Sequence, residues 1–150
     1  MQNIINISEA ANLAIHSLAY LASGGNEGYV SVSEIARELG VSESHLAKVM
    51  QKLVKKGYIR SSRGAKGGFS FIKKPSDIFV LDVMRAIDGA PSQNGCILGD
   101  PVCSEGRCAF MELAIDLDKA LIKHLGKMSI KEIRIEKRDV RQMIKKTAAK

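Results

Sequence analysis

The sequence predicts a mainly α-helical fold that carries one small β-hairpin. Apolar residues recur at helical spacing in several segments that begin at a serine and end at a glycine. A single pair of short alternating segments flanks a glycine-rich stretch, as in a hairpin. The composition agrees, because 45% of residues are hydrophobic but only 5% are aromatic. Such a composition favours helices packed through aliphatic side chains, and 150 residues suffice for one domain with an appendage.

The first helix is predicted to begin at Ser8 and to end near Ser23. Ser8 followed by Glu9 has the pattern of an N-cap with an acidic residue in the first turn, where it meets the positive end of the helix dipole. Glycines at 24 and 25 end the helix. The apolar positions at helical spacing are Ala11, Ala14, Ile15, Leu18, Leu21 and Ala22.

Two shorter helices are predicted next. Ser31 and Glu34 form a capping-box pattern before a stripe that stops at Gly40. Ser42 can cap the following helix, which ends before Gly57. Two short helices joined by a glycine-containing turn are typical of a helix-turn-helix, with residues 42–56 as its recognition helix.

A hairpin and a fourth helix follow. Residues 58–61 and 69–72 are predicted to be strands on either side of the glycine-rich tip at 63–68. A hairpin in this place is a wing, so the fold class is a winged helix-turn-helix. Ile78, Leu81, Val83, Met84 and Ile87 predict a helix that ends at Gly89.

The rest of the chain divides into a loop, a long helix and a tail. No apolar periodicity survives between Gly89 and Cys108, which predicts a loop. The next segment predicts a long amphipathic helix that is too apolar to stay in water, so a second copy of the chain is expected to cover it. Its apolar residues are Phe110, Leu113, Ala114, Leu117, Leu121 and Leu125. Ser129 and Glu132 form a capping box that predicts a basic tail helix. The predicted units are therefore a DNA-binding domain (1–89), a cysteine loop (90–108), a dimerisation helix (109–128) and a basic C-terminal helix or tail (129–150).

The charge distribution predicts a nucleic-acid partner. Lys and Arg outnumber Asp and Glu by 23 to 16, and no acidic residue lies between Glu43 and Asp77. Double-stranded DNA is the natural polyanion for a helix-turn-helix with a basic wing. The recognition helix is expected to read the major groove, and the wing to enter the minor groove. The predicted DNA contacts are Ser42, Ser44, His45, Lys48, Lys52, Arg63 and Lys66. The alternative is a solvated basic surface on a helix-turn-helix that binds protein.

The cysteines predict an inorganic centre. Cys96, Cys103 and Cys108 lie in one flexible loop, separated by six and then four residues. Iron–sulfur clusters favour such ligation, whereas structural zinc sites usually contain a closer cysteine pair. Redox-active or inert thiols remain as alternatives. Three cysteines leave one ligand missing, for which His16 is the best chemical donor and Asn12 another candidate, each reaching the loop from a partner subunit.

A cytoplasmic protein is expected. The N-terminal residues do not have the pattern of a signal peptide, and no apolar run is long enough to span a membrane. An odd number of cysteines also argues against a disulfide framework.

These motifs, in this order, resemble a family of bacterial winged-helix repressors that includes IscR and NsrR. The resemblance is carried by residues 12–22, 35–42 and 62–69 and by the cysteine loop. It implies a homodimer built on the long helix, an operator with dyad symmetry, and a 2Fe-2S or 4Fe-4S cluster held by the cysteines and a fourth residue. It also implies that Arg63 enters the minor groove and that Ser44 and Lys48 contact DNA. Asn12 and His16 align with positions that ligate the cluster from the opposite subunit in some members.

Two features of the chain depart from that family. Its cysteine gaps are six and four residues where members often have five and five, and Met111 stands where some relatives have a ligating histidine. The leading hypothesis is a repressor that senses redox state, nitric oxide or iron–sulfur status. The alternatives are a clusterless regulator controlled by a protein or small molecule, and a small electron-transfer protein or redox enzyme.

Overall fold

The computed structural model describes residues 7–24, 28–64, 66–89 and 110–135. Its helices are α1 (Glu9–Ser23), α2 (Val32–Leu39), α3 (Glu43–Lys55), α4 (Val80–Asp88) and α5 (Met111–Leu125). One antiparallel hairpin joins β1 (Ile59–Ser62) to β2 (Gly68–Phe71). Short 3₁₀ helices span Pro75–Asp77 and Ile130–Glu132. The mainly α-helical fold with a hairpin wing is confirmed.

The first three helices begin at the predicted serines. The hydroxyls of Ser8, Ser31 and Ser42 accept hydrogen bonds from the backbone N–H groups of Ala11, Glu34 and His45. Each cap pairs a donor that the helix itself leaves without a partner. Helix α2 ends at Gly40 in the left-handed conformation, with φ of 69°.

The hairpin lies one residue further toward its tip than predicted. Ile59 pairs with Phe71 and Ser62 with Gly68. Tyr58 is not in a strand because its N–H still bonds to Leu53 at the end of α3, at 3.2 Å. A single bridge between Val30 and Phe69 adds a third chain segment to the edge of the hairpin. The wing is thereby attached to the segment that leads into α2.

The core is built around α1. This helix packs against α3, α4 and the 3₁₀ helix at 130–132. The residues with the largest fully buried side chains are Leu18, Ile35, Leu46, Met50, Leu53, Ile59, Ile78 and Ile130. Burial of these aliphatic side chains supplies the main stabilisation of the fold.

Two sequence predictions near the C-terminal half are wrong. Ile78 precedes α4 in an extended stretch, where its carbonyl accepts from Ile130 N–H at 2.8 Å. The capping box at Ser129 and Glu132 is present, but it opens one 3₁₀ turn rather than an α-helix. Ile133 and Ile135 pack against the core at alternating positions, so their burial favours extended chain after Glu132.

Helix α5 carries exposed apolar side chains on the single chain. Leu113 is 52% exposed, and Phe110, Ile115, Leu117 and Ile122 are also exposed. The predicted loop at 90–108 and the tail beyond residue 135 lie outside the described residues, and the division after residue 89 stays a prediction. Within the described ranges, no helix combines the length and apolarity that a bilayer span requires.

Candidate nucleic-acid interface

The exposed face of α3 carries the polar residues that the sequence assigned to DNA. Ser44, Lys48 and Lys52 are exposed, whereas Leu46, Val49 and Leu53 are buried. The exposed N-cap residue Ser42 accepts from His45 N–H at 3.3 Å, which fixes the direction in which α3 begins. Helix α3 therefore has one face fixed in the core and the opposite face open to a partner.

His45 differs from the other predicted contacts because it is half-buried against α1. Its Nδ1 lies 3.8 Å from Glu9 Oε1, at the first turn of α1. The Glu9 side chain is 84% exposed, so water screens this pair. The contact shows that the start of α3 lies beside the start of α1.

The wing places two cations at its tip. Arg63 and Lys66 are both exposed. Arg63 directly precedes, and Lys66 lies within, the turn closed by a 2.9 Å hydrogen bond from Gly67 N–H to Gly64 O. Gly64 has φ of 107°, which side chains rarely adopt. The tip can therefore enter a narrow groove with its cationic side chains outward.

Gly67 and Gly68, which follow the tip, are required because neither position has room for a Cβ. A Cβ on Gly67 would lie 2.5 Å from the Ser62 carbonyl oxygen. A Cβ on Gly68 would overlap the Val30 carbonyl, and Gly68 also has φ of 152°. These contacts explain why two adjacent glycines follow the tip.

Arg60 of β1 is a basic residue to which no sequence motif gives a role. Its guanidinium carbon lies 5.7 Å from the centre of the Tyr29 ring, which is within cation–π range. Tyr29 lies outside any helix or strand, directly before the bridge residue Val30, so no periodicity could signal it. A second pair joins Lys73 and Tyr58 at 5.2 Å, near the base of the hairpin. Burial and the nearby Asp82 carboxylate raise the pKa of Tyr58.

The two candidate ligands on α1 are both exposed. His16 Nδ1 donates to Asn12 O at 2.8 Å, which leaves Nε2 as the nitrogen with a free lone pair. Cys96, Cys103 and Cys108 lie outside the described residues. Across the described part of the chain, no three His, Cys, Asp or Glu side chains gather in a group that could hold a metal ion.

The end of α4 is connected to the start of α1. Ser8 Oγ donates to Asp88 Oδ1 at 2.6 Å while it caps α1. Asp88 is the last residue of α4, directly before the segment that leads to the cysteines. The start of α1 thus contacts both the end of α4, through Ser8, and the start of α3, through Glu9.

Comparison with known proteins identifies the family. The family model of Rrf2, described as an iron-dependent transcriptional regulator, matches residues 7–135. The chain belongs to the Rrf2 family. This family consists of transcriptional regulators, so the chain is a DNA-binding regulator and not an enzyme. The hypothesis of an electron-transfer protein or redox enzyme is therefore wrong.

Individual relatives agree with this placement. The IscR regulator of Xenorhabdus nematophila is 28% identical over 130 residues, which cover 86% of this chain and 79% of that protein. The NsrR regulator of Geobacillus kaustophilus is 30% identical over 107 residues, covering 66% and 72%. Among solved structures, CymR of B. subtilis superposes with a TM-score of 0.71 at 25% identity, covering 85% of this chain and 95% of that one. The winged-helix fold is confirmed.

Proposed function

We propose that this Rrf2-family regulator is a homodimeric repressor that binds an operator with dyad symmetry. An iron–sulfur cluster on Cys96, Cys103 and Cys108 would control its affinity for that operator. The observation that carries the DNA-binding part is the shared exposure of the cations on α3 and the wing. These cations all lie within residues 44–76, a stretch without acidic residues. A surface of this kind binds DNA through phosphate neutralisation and counterion release.

We assign the predicted DNA-binding residues to different parts of the DNA according to their position on α3 or the wing. Ser44, His45 and Lys48 lie in the N-terminal half of α3, from which a recognition helix contacts base edges in the major groove. Ser42 fixes the helix start and offers its backbone to a phosphate, and Lys52 neutralises a phosphate further along the groove. Arg63 and Lys66 enter the minor groove, where the negative potential is greatest.

The dimer of the proposal is formed through α5. Five large apolar side chains on or beside this helix are exposed on the single chain. Exposed apolar surface of that extent is typical of an interface. A two-fold axis along paired α5 helices would present two copies of α3 to two half-sites.

The donor set fits an iron–sulfur cluster. Three thiols fall within thirteen residues, and the family is described as iron-dependent. His16 is exposed with Nε2 left open by the hydrogen bond of Nδ1, as a fourth ligand requires, and Asn12 beside it is the alternative. A bound cluster would supply a centre that oxidants, nitric oxide or iron shortage degrade. The chain itself supplies the thiolates and the orienting hydrogen bond.

Anaerobic purification tests the cluster directly. We expect visible absorption together with stoichiometric iron and sulfide in the wild-type protein, and loss of all three in Cys103→Ser. Ser104→Ala is the matched control in the same loop and should keep them. A colourless, iron-free wild-type protein after reconstitution would contradict the cluster proposal while leaving DNA binding untouched.

A second candidate function is a clusterless regulator that responds to a small molecule. It is favoured by the likeness to CymR, which is described as the global cysteine regulator of B. subtilis. In that case Cys103→Ala would leave both the affinity for DNA and its response to oxidants unchanged. The same binding titration, with and without oxidant, separates the two candidates.

A further inference from the structure

We propose that Arg60, stacked on Tyr29, is an additional DNA-binding residue that neutralises a backbone phosphate beside the minor groove entered by the wing. This inference rests on the proposed orientation of the wing but adds a contact that the recognition helix and the wing tip do not supply. Arg60 is exposed in the middle of β1, opposite Ser70 of β2. Arg63 directly follows the end of β1 and lies three residues from Arg60, a span of at most about 10 Å along an extended chain.

That separation matches the dimensions of DNA. The minor groove is about 6 Å wide and is bordered on both sides by sugar-phosphate backbone. An arginine within about 10 Å of one that enters the groove is therefore within side-chain reach of a bordering phosphate. Arginine suits this role because its planar guanidinium donates to two phosphate oxygens at once.

Tyr29 prepares Arg60 for such a contact. The ring is 40% exposed and lies 5.7 Å from the guanidinium carbon. Stacking on a ring leaves the N–H donors at the guanidinium edge free for a partner. It also restricts the long side chain before DNA arrives, which lowers the entropy lost on binding. Neither ion pair found among the described residues, Arg37–Glu38 or Glu9–His45, involves Arg60.

A second cation–π pair beside the hairpin provides a control for Arg60. Lys73 makes the same kind of contact with Tyr58, at 5.2 Å, but it follows β2 at the base of the hairpin, away from the tip. Burial and the Asp82 carboxylate of α4 raise the pKa of Tyr58 there. Lys73 and Arg60 each contribute one exposed positive charge, so they differ mainly in their distance from the wing tip.

The salt dependence of DNA binding tests the proposal on the intact protein. The slope of log K against log salt is to be measured on a duplex of random sequence, so that no operator is needed. Arg60→Ala should reduce its magnitude by about 0.9 for each subunit bound, because one phosphate contact is lost. Arg60→Lys keeps the charge and should keep most of the slope, and Lys73→Ala should leave it at the wild-type value.

Three results would overturn the proposal or separate it from the proposed function. A wild-type slope in both Arg60→Ala and Arg60→Gln would refute the contact, and the Gln variant retains much of the side-chain stem if Ala perturbs folding. An equal reduction in Lys73→Ala would also refute it, since the slope would then report net charge alone. If Arg63→Ala and Arg60→Ala both leave the slope unchanged, the wing does not contact DNA and the proposed orientation fails as well.

A double-mutant cycle tests the stack itself. Tyr29→Ala should weaken DNA binding when Arg60 is present and have no effect in the Arg60→Ala background. Tyr29→Phe should restore binding, because phenylalanine offers the same π-face. An equal effect of Tyr29→Ala in both backgrounds would contradict the role of the ring.

Discussion

The glycines of the wing are needed for different physical reasons. Gly64 has a positive φ, but no described residue beyond its chain neighbours lies within 4 Å of a Cβ added there. Gly67 lacks the positive φ but has no room for a Cβ beside Ser62, and Gly68 has both constraints. The sequence predicted a glycine-rich tip, yet the close approach of Val30 to Gly68 joins residues far apart in the chain. No local pattern could distinguish these roles.

Gly68→Ala should therefore destabilise the protein by about 1–3 kcal/mol, because the new Cβ forces the hairpin away from Val30 and strains φ. Urea unfolding measures the change. Gly28→Ala is the matched control, since no described residue beyond its chain neighbours lies within 4 Å of its added Cβ. It should stay within about 0.5 kcal/mol of wild type. Equal stability of Gly68→Ala and wild type would contradict the geometry of the wing.

Arg63→Ala should weaken operator binding by about 1–3 kcal/mol without changing the thermal midpoint, since Arg63 is exposed at the tip. Competition titrations at physiological salt provide the measurement. Arg85→Ala removes an exposed arginine on α4 and should have little effect. Loss of the same affinity in both variants would mean that Arg63 has no specific role.

At the scale of elements, the sequence correctly predicted the helix starts that depend only on residues close together in the chain. Serine caps and helical periodicity lie within one segment, and α1, α2 and α3 begin where these signals indicate. The errors arose where a distant segment decides the conformation. Ile78 is held extended by Ile130, which lies 52 residues later in the chain. Residues 133–135 do not continue the turn as a helix, and Ile133 and Ile135 pack against the core.

The contact between α1 and α2 makes a prediction about alkaline stability. Tyr20 donates to Glu34 Oε1 at 3.0 Å, and desolvation, followed by the Glu34 carboxylate, raises its pKa to about 12. The folded state thus favours the neutral phenol. This stabilisation is complete below pH 10, the ordinary pKa of tyrosine, and is lost as the pH rises from there toward 12.

Tyr20→Phe should lower the free energy of unfolding by about 1 kcal/mol at pH 7, because one hydrogen bond is removed. Its deficit relative to wild type should shrink between pH 10 and 12. Denaturant unfolding at several pH values measures this difference. Tyr29→Phe, at an exposed position, should stay within about 0.5 kcal/mol of wild type at pH 7. A deficit that grows with pH would contradict the assignment.

At the scale of the whole molecule, the cations assigned to DNA and most of the exposed apolar residues lie on different elements. Those cations are exposed on α3 and the wing, whereas five of the eight exposed large hydrophobic residues among those described lie on α5 or directly before it. The sequence predicted both features because the charge follows from the distribution of Lys, Arg, Asp and Glu, and the apolar helix follows from the helical spacing of apolar residues. It could not supply the arrangement of the cysteines, since a segment without periodicity carries no geometric information. Nor could it reveal the Ser8–Asp88 hydrogen bond, which joins residues 80 positions apart.

Substitutions confined to α5 of the intact protein test the dimer. Leu113→Glu combined with Leu117→Glu should weaken self-association by about 2 kcal/mol, roughly thirtyfold in Kd, because two charges would enter the interface. Sedimentation equilibrium provides the measurement. Lys119→Glu places a carboxylate at an exposed polar position of the same helix and should leave the Kd near its wild-type value. Unchanged association in the double variant would exclude α5 as the dimer interface.

The most direct test of the central claim compares operator affinity before and after cluster removal in one anaerobic preparation. The operator is first selected from a random duplex pool with the purified protein. A cluster that controls DNA binding should change the affinity at least about fivefold on removal, and Cys103→Ser should show one affinity under both conditions. Equal operator affinity of the verified cluster-bound and cluster-free protein would contradict the account.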